Sequence, residues 1–211
     1  MIRPVNANES LRDEIERTAL ECSSSDLVIW WLGQSGFLVQ SDGKRILFDP
    51  YLSDSLTDKY AGTDKPHVRM SERVIDPGML SGIDVVSSSH NHTDHLDAAT
   101  LMPLLKGNPS AAMVIPEANR EFVVARLGMM PAAPVGLWDG HTAEVKAINW
   151  TGVASAHNTI ERDGRGYPVY MGFVVRLGRW TLYHSGDTLD YPGLAETLRP
   201  FKVDVAFLPI N

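Results

Sequence analysis

Leu11, Ile15, Ala19 and Cys22 recur at three- and four-residue intervals between charged residues, the spacing of one buried helix face. Asn8, just ahead of them, is the expected N-cap. The period then changes. Residues 26–52, DLVIWWLGQSGFLVQSDGKRILFDPYL, hold three short apolar runs parted by GQSG and SDGK, which predicts a β-meander with Asp42-Gly43 as its stronger turn. Residues 52–77 are polar and show little periodicity, the profile of a functional loop or lid. IDVVSSS (83–89) predicts a strand, and LDAATLMPLL (96–105) a helix in which Pro103 demands a late start or a kink. AAMVI (111–115) predicts a strand, and EANREFVVARLG (117–128) a helix stopped by Gly128.

The second half alternates between apolar runs and turn residues. AEVKAINW (143–150), TGVASAH (151–157), YPVYMGFVVRL (167–177), RWTLYHSGD (179–187) and VDVAFLPIN (203–211) predict strands, and PGLAETLRP (192–200) a short helix. Asp139-Gly140 and Gly178 border some of them. Blocks of strands with helices grouped between them favour an α+β layered sandwich over a doubly wound sheet.

The 211 residues suffice for a single domain over 1–211, and 44% apolar with 21% charged residues is the balance of a soluble globular protein. A formal charge of −7 argues against binding long nucleic acids. The lone Cys22 excludes an internal disulfide or a cysteine-built zinc site. The N-terminal residues carry no secretory pattern, and no run reaches the ~20 apolar residues that cross a bilayer. A cytoplasmic protein acting on a small molecule away from membranes is expected.

Candidate chemistry concentrates in HNHTDHLD, residues 90–97, directly after an apolar strand. Were the chain to stay extended past Ser89, positions 90, 92 and 94 would project to one side. His90 and His92 could then share one metal, while Asp94 and His95 meet a second. Three histidines and an aspartate this close would crowd one another without a cation between them. Imidazole and carboxylate suit a borderline divalent ion. His157 and Asp187 stand at two further strand ends, where a rigid scaffold presents site residues.

This constellation resembles the metallo-β-lactamase superfamily of metal-dependent hydrolases. Asp49 in ILFDP matches the first motif, HNHTDH the second, and His157 and Asp187 the third and fourth. WWLGQSG and LYHSGD look like the branch containing L-ascorbate-6-phosphate lactonase. The resemblance implies a four-layer αββα sandwich and a two-metal site. His90, His92 and His157 would hold one metal, Asp94 and His95 the other, with Asp187 bridging and Asp49 orienting a ligand histidine. The implied cofactor is a pair of divalent ions, zinc or manganese, with iron as a further option.

The superfamily's fifth motif is a histidine beyond the strand after Asp187, and no histidine follows position 187 here. The sequence is therefore expected to be a fragment lacking closing C-terminal elements. A complementing C-terminal segment, a ligand from another copy in a homo-oligomer, or water would otherwise fill the place. His184 is expected to pack rather than ligate, and His67 and His141 to be solvated. Arg162 and Arg165 could meet an anion but read first as solvated loop residues. Ser35 and Ser185 lie outside any G-x-S-x-G elbow, which argues against a serine hydrolase. The expected activity is lactonase-like: metal-activated water attacking a lactone, ester or phosphorylated small molecule. The alternatives are a phosphodiesterase or nuclease and a non-catalytic metal-binding scaffold.

Overall fold

The helical period at the start of the chain forms α1, Asn8–Glu21, in the computed structural model, which describes residues 1–209. Leu11 and Ile15 are its buried face. The cap lies one residue earlier than the sequence suggests. Ala7 is extended at φ −147°, while Asn8, the first residue of α1, is left-handed at φ +51° and donates its N–H to the Val74 carbonyl at 2.7 Å. Asn8 serves through its tolerance of a left-handed backbone, and no side chain caps this end.

Two compact units follow. Met1–Asp84 with His92–Ala111 make the first, and Val85–Asn91 with the chain from Ala112 onward make the second. The first contains the expected antiparallel meander: β1 (Val28–Trp31), β2 (Phe37–Ser41) and β3 (Lys44–Phe48). Ser41 pairs with Lys44, so Asp42 and Gly43 alone make the turn, at φ +50° and +68°, the two left-handed positions of a type I′ hairpin. Arg45 reaches from β3 to α1. Its buried guanidinium donates to Gln40 Oε1 (2.9 Å), the Ser81 carbonyl (2.7 Å) and Glu16 Oε1 (2.9 Å).

That hydrogen bond from Arg45 holds the Glu16 carboxyl below its ordinary value. A depressed carboxylate stabilises the fold above the unfolded pKa of about 4.3. This contribution is lost as pH falls through the lowered folded value. Glu16 is half-exposed, so solvent screening keeps it small. Arg45→Met is expected to flatten the acid limb of a stability-versus-pH curve below about pH 4.3, read by urea denaturation at each pH.

The polar stretch 52–77 is not a loose loop. It carries helix α2 (Ser55–Tyr60) and is pinned by Arg69, whose buried side chain donates to the carbonyls of Ser53 (2.5 Å) and Ser71 (3.1 Å) and lies over the Tyr51 ring at 4.9 Å. Polar contacts hold it instead of an apolar face, which is why no period marks it. Helix α3 (Ala98–Gly107) completes this unit, with Asp97 as N-cap and Pro103 inside it.

In the second unit β4 (Val85–Ser87), β5 (Ala112–Pro116) and β6 (Val135–Leu137) run parallel in that order. Helix α4 (Arg120–Leu127) joins β5 to β6 and ends, as expected, on Gly128 at φ +63°. A five-stranded sheet follows in the order β11-β10-β9-β8-β7. Its strands are β7 (Thr142–Val145), β8 (Ile148–Ala154), β9 (Met171–Leu177), β10 (Trp180–His184) and β11 (Val205–Phe207). Neighbours are antiparallel except β11, which runs parallel to β10 after helix α5 (Leu194–Leu198). Val153, Val174, Tyr183 and Leu194 form a core beneath α5.

Residues 143–150 are a hairpin rather than one strand. Lys146 and Ala147 turn the chain at φ +56° and +61° without the glycine or asparagine that would have announced it. The last two positions of the strand expected over 203–211 lie outside the described residues. Among the described residues no helix is long and apolar enough to cross a membrane.

Candidate metal centre

In the second unit the ends of β4, β8, β9 and β10 are tied together by main-chain and hydroxyl contacts. Met171 N–H donates to the Ser89 carbonyl (3.0 Å), Ser155 N–H to the Tyr170 carbonyl (3.0 Å), and Ser155 Oγ to the Ser185 carbonyl (2.8 Å). Three of the sequence-predicted residues are thereby gathered. His90 is 1% exposed, its ring is 5.8 Å from that of half-buried His157, and its Nε2 lies 3.9 Å from Asp187 Oδ2. Ser89 Oγ faces His90 Nδ1 at 3.0 Å. Tyr170, which no motif singled out, packs against both imidazoles, and burial pushes its phenol above the ordinary value.

Gly186 permits this convergence. It sits at φ +55°, and a Cβ there would stand 2.8 Å from Ser89 Cβ and 2.9 Å from the Met171 carbonyl oxygen. Gly186→Ala is expected to cost about 2–3 kcal/mol and to loosen Asp187 beside it. Thermal melts and metal content per chain would check both effects, and an unchanged melting temperature would contradict the crowding.

The first unit holds a second group. Asp49 is fully buried at the end of β3 and accepts the Nδ1–H of His95 at 2.6 Å. His95 Nε2 lies 3.6 Å from Asp94 Oδ2. Ser35 Oγ stands between the carbonyls of Asp94 (2.7 Å) and Asp49 (3.0 Å), so this hydroxyl fastens two site residues and is no nucleophile. Ser185 Oγ is likewise engaged, with the Gly186 carbonyl. His92 is exposed.

The chain is not extended through this region, contrary to the sequence reading. Strand β4 stops at Ser87, and the His92 carbonyl accepts from His95 N–H (3.0 Å) and Leu96 N–H (2.8 Å). Directly after this turn Asp97 caps α3. Its two oxygens accept from Ser53 Oγ (2.6 Å), Ser55 Oγ (2.9 Å), Ala99 N–H (3.3 Å), and Thr100 N–H (3.1 Å) and Oγ1 (2.6 Å). The second aspartate of HNHTDHLD is therefore spent on the helix start.

The donor sets fit divalent metal. Ligand atoms about 2.1 Å from one ion stand about 3.0–3.5 Å apart. The His95–Asp94 pair at 3.6 Å is close to that spacing, and the His90–Asp187 pair at 3.9 Å is slightly wider. Asp49 on Nδ1 of His95 leaves the lone pair on Nε2, which faces Asp94.

The remaining candidates are occupied elsewhere. His184 is buried and packs 6.3 Å from the Phe207 ring. His67 faces Thr57 Oγ1, and His141 is half-buried and stacked on Trp138 at 3.6 Å, not solvated. Arg162 binds the Gly166 carbonyl and Asp139, while Arg165 binds Asp163 and the Glu117 carbonyl.

Residues 28–211 match the model of the β-lactamase superfamily domain. A UPF0173 metal-dependent hydrolase of Caldivirga maquilingensis is 30% identical over 188 residues, covering 86% of this chain and 68% of that protein. The chain belongs to the metallo-β-lactamase superfamily and, within it, to the UPF0173 metal-dependent hydrolase family. Its fold is accordingly the mixed α/β metallo-β-lactamase fold with two sheets, and a solved metallo hydrolase from Ignicoccus hospitalis shares it (TM-score 0.58, 20% identity, 87% of this chain, 70% of that one). A mitochondrial N-acyl-phosphatidylethanolamine-hydrolyzing phospholipase D of Saccharomyces cerevisiae is 29% identical over 164 residues, 75% of this chain and 33% of that protein.

Proposed function

We propose that this chain is a metal-dependent hydrolase acting on a lactone, ester or phosphorylated small molecule, with two divalent ions, zinc or manganese, held by His90, His92, Asp94, His95, His157 and Asp187. The observation that carries the reading is the pair of carboxylate–imidazole groups just described, each bringing an Nε2 within 4 Å of an aspartate oxygen. Two peptide bonds separate His90 from His92, which keeps their Cα atoms within about 7 Å. Bound metal would supply a water whose pKa is lowered toward ~7.

Each protein group has a distinct task. Asp49 fixes the His95 tautomer, and Ser89 Oγ hydrogen-bonds Nδ1 of His90 and so orients its ring. Asp94, held through its main chain by Ser35, takes the proton of the attacking water on a carboxylate oxygen and returns it to the leaving oxygen. Arg162 and Arg165 are exposed and engaged by Asp139, Asp163 and backbone carbonyls, so neither lends support to a phosphate-binding role. The likeness to the yeast phospholipase D supports a phosphodiester as the second reading.

The test is metal analysis of protein purified without added metal, followed by turnover on panels of lactones, carboxylic esters and phosphodiesters. Expected are two ions per chain and hydrolysis on one panel that a chelator stops and added metal restores. One ion or none, with no turnover on any panel, would make this a non-catalytic scaffold.

A further inference from the structure

We propose that Tyr170 is a positioning residue that fixes the orientation of the His90 and His157 rings and so sets how tightly the chain holds metal. The inference rests on the metal-site reading above. The Tyr170 ring stacks on His157 at 5.0 Å and 30° and lies against His90 at 5.1 Å and 48°. The imidazoles themselves are 5.8 Å apart at 62°. One aromatic ring thus packs against both imidazoles, whose lone pairs must point at one place if they share a metal.

The main chain at this point does the same work. The Tyr170 carbonyl accepts from Ser155, two residues before His157, and the N–H of the next residue, Met171, donates to Ser89, one residue before His90. The same dipeptide therefore registers both histidine-bearing strand ends and sets the ring against both imidazoles. His157 needs such packing more than His90 does. It is half-buried and is followed by exposed residues 158–162, whereas His90 is buried and braced by Ser89. An imidazole left free to rotate must be ordered when metal binds, and pre-orienting it removes that cost from binding.

The shape of the ring, rather than its hydroxyl or its volume, is what this role requires. Zinc alone is titrated into metal-free wild type, Tyr170→Phe, Tyr170→Leu and Tyr170→Ala against a competing chromophoric chelator, with melting temperatures of the metal-free proteins recorded alongside. The phenylalanine variant is expected to bind within about twofold of wild type, and the leucine and alanine variants about 10–100-fold more weakly. The melting temperature of the leucine variant should stay near that of wild type. Cobalt substitution should show a changed visible spectrum in Tyr170→Leu but not in Tyr170→Phe, a signature that a packing role would not produce. Should the alanine variant fail to fold, the leucine variant carries the test. Leucine binding zinc as tightly as wild type overturns the role of Tyr170 and leaves the metal site standing. Wild type taking up no zinc overturns both.

Discussion

Replacement of His90 by alanine is expected to lower turnover by about a thousandfold or more and to leave the protein short of metal. A metal's stabilisation of developing charge is worth several kcal/mol, and each 1.4 kcal/mol is about tenfold in rate. His90 is the ligand whose loss should show this fully. It is 1% exposed, within reach of Asp187, beside His157, and held by Ser89 and Tyr170, so no neighbouring water can easily stand in for its nitrogen. His92, by contrast, is exposed. Metal content and turnover, measured on the panel that wild type hydrolyses, would check the expectation. Undiminished turnover in His90→Ala would remove the mechanism.

Asp97→Ala should give the largest loss of stability with no direct part in chemistry. Five donors converge on this buried carboxylate, from Ser53, Ser55, Ala99 and Thr100. Thr100 Oγ1 in turn accepts the Leu52 N–H at 2.8 Å, which extends the network one step further. Removing the acceptor costs the helix cap and strands buried donors, together about 3–5 kcal/mol. For a chain of this size that is a fall of about 6–20 °C in melting temperature. Asp97→Asn keeps one acceptor oxygen and should lose about half as much. Melts of metal-free protein isolate the effect from ligand binding, and a loss under about 1 kcal/mol would show that water replaces the carboxylate.

Much of the fold was legible because its signals are local. The I′ turn at Asp42-Gly43, the stop at Gly128 and the period of α1 each depend on residues adjacent in the chain. Residues of the candidate site were legible through ligand type and strand-end placement. What stayed hidden depends on contacts distant in sequence. Arg69 orders 52–77 through carbonyls that no pattern marks, and β6 is three residues long. Tyr170 reads as one more strand residue until its ring is seen beside two histidines. The path of 90–95 depends on where β4 stops, at Ser87, and on the turn closed at the His92 carbonyl, neither of which the spacing of the ligands marks.

The hairpin at Lys146 and Ala147 carries a reserve. Two side-chain-bearing residues there occupy a backbone region that costs L-residues about 1–2 kcal/mol each, far along β8 from the histidine end of that strand. A protein able to bear that burden has slack that an Asn-Gly pair could recover. Such a reinforced background would let ligand positions be varied singly and in combination while the host still folds, so that lost chemistry could be told apart from a lost protein.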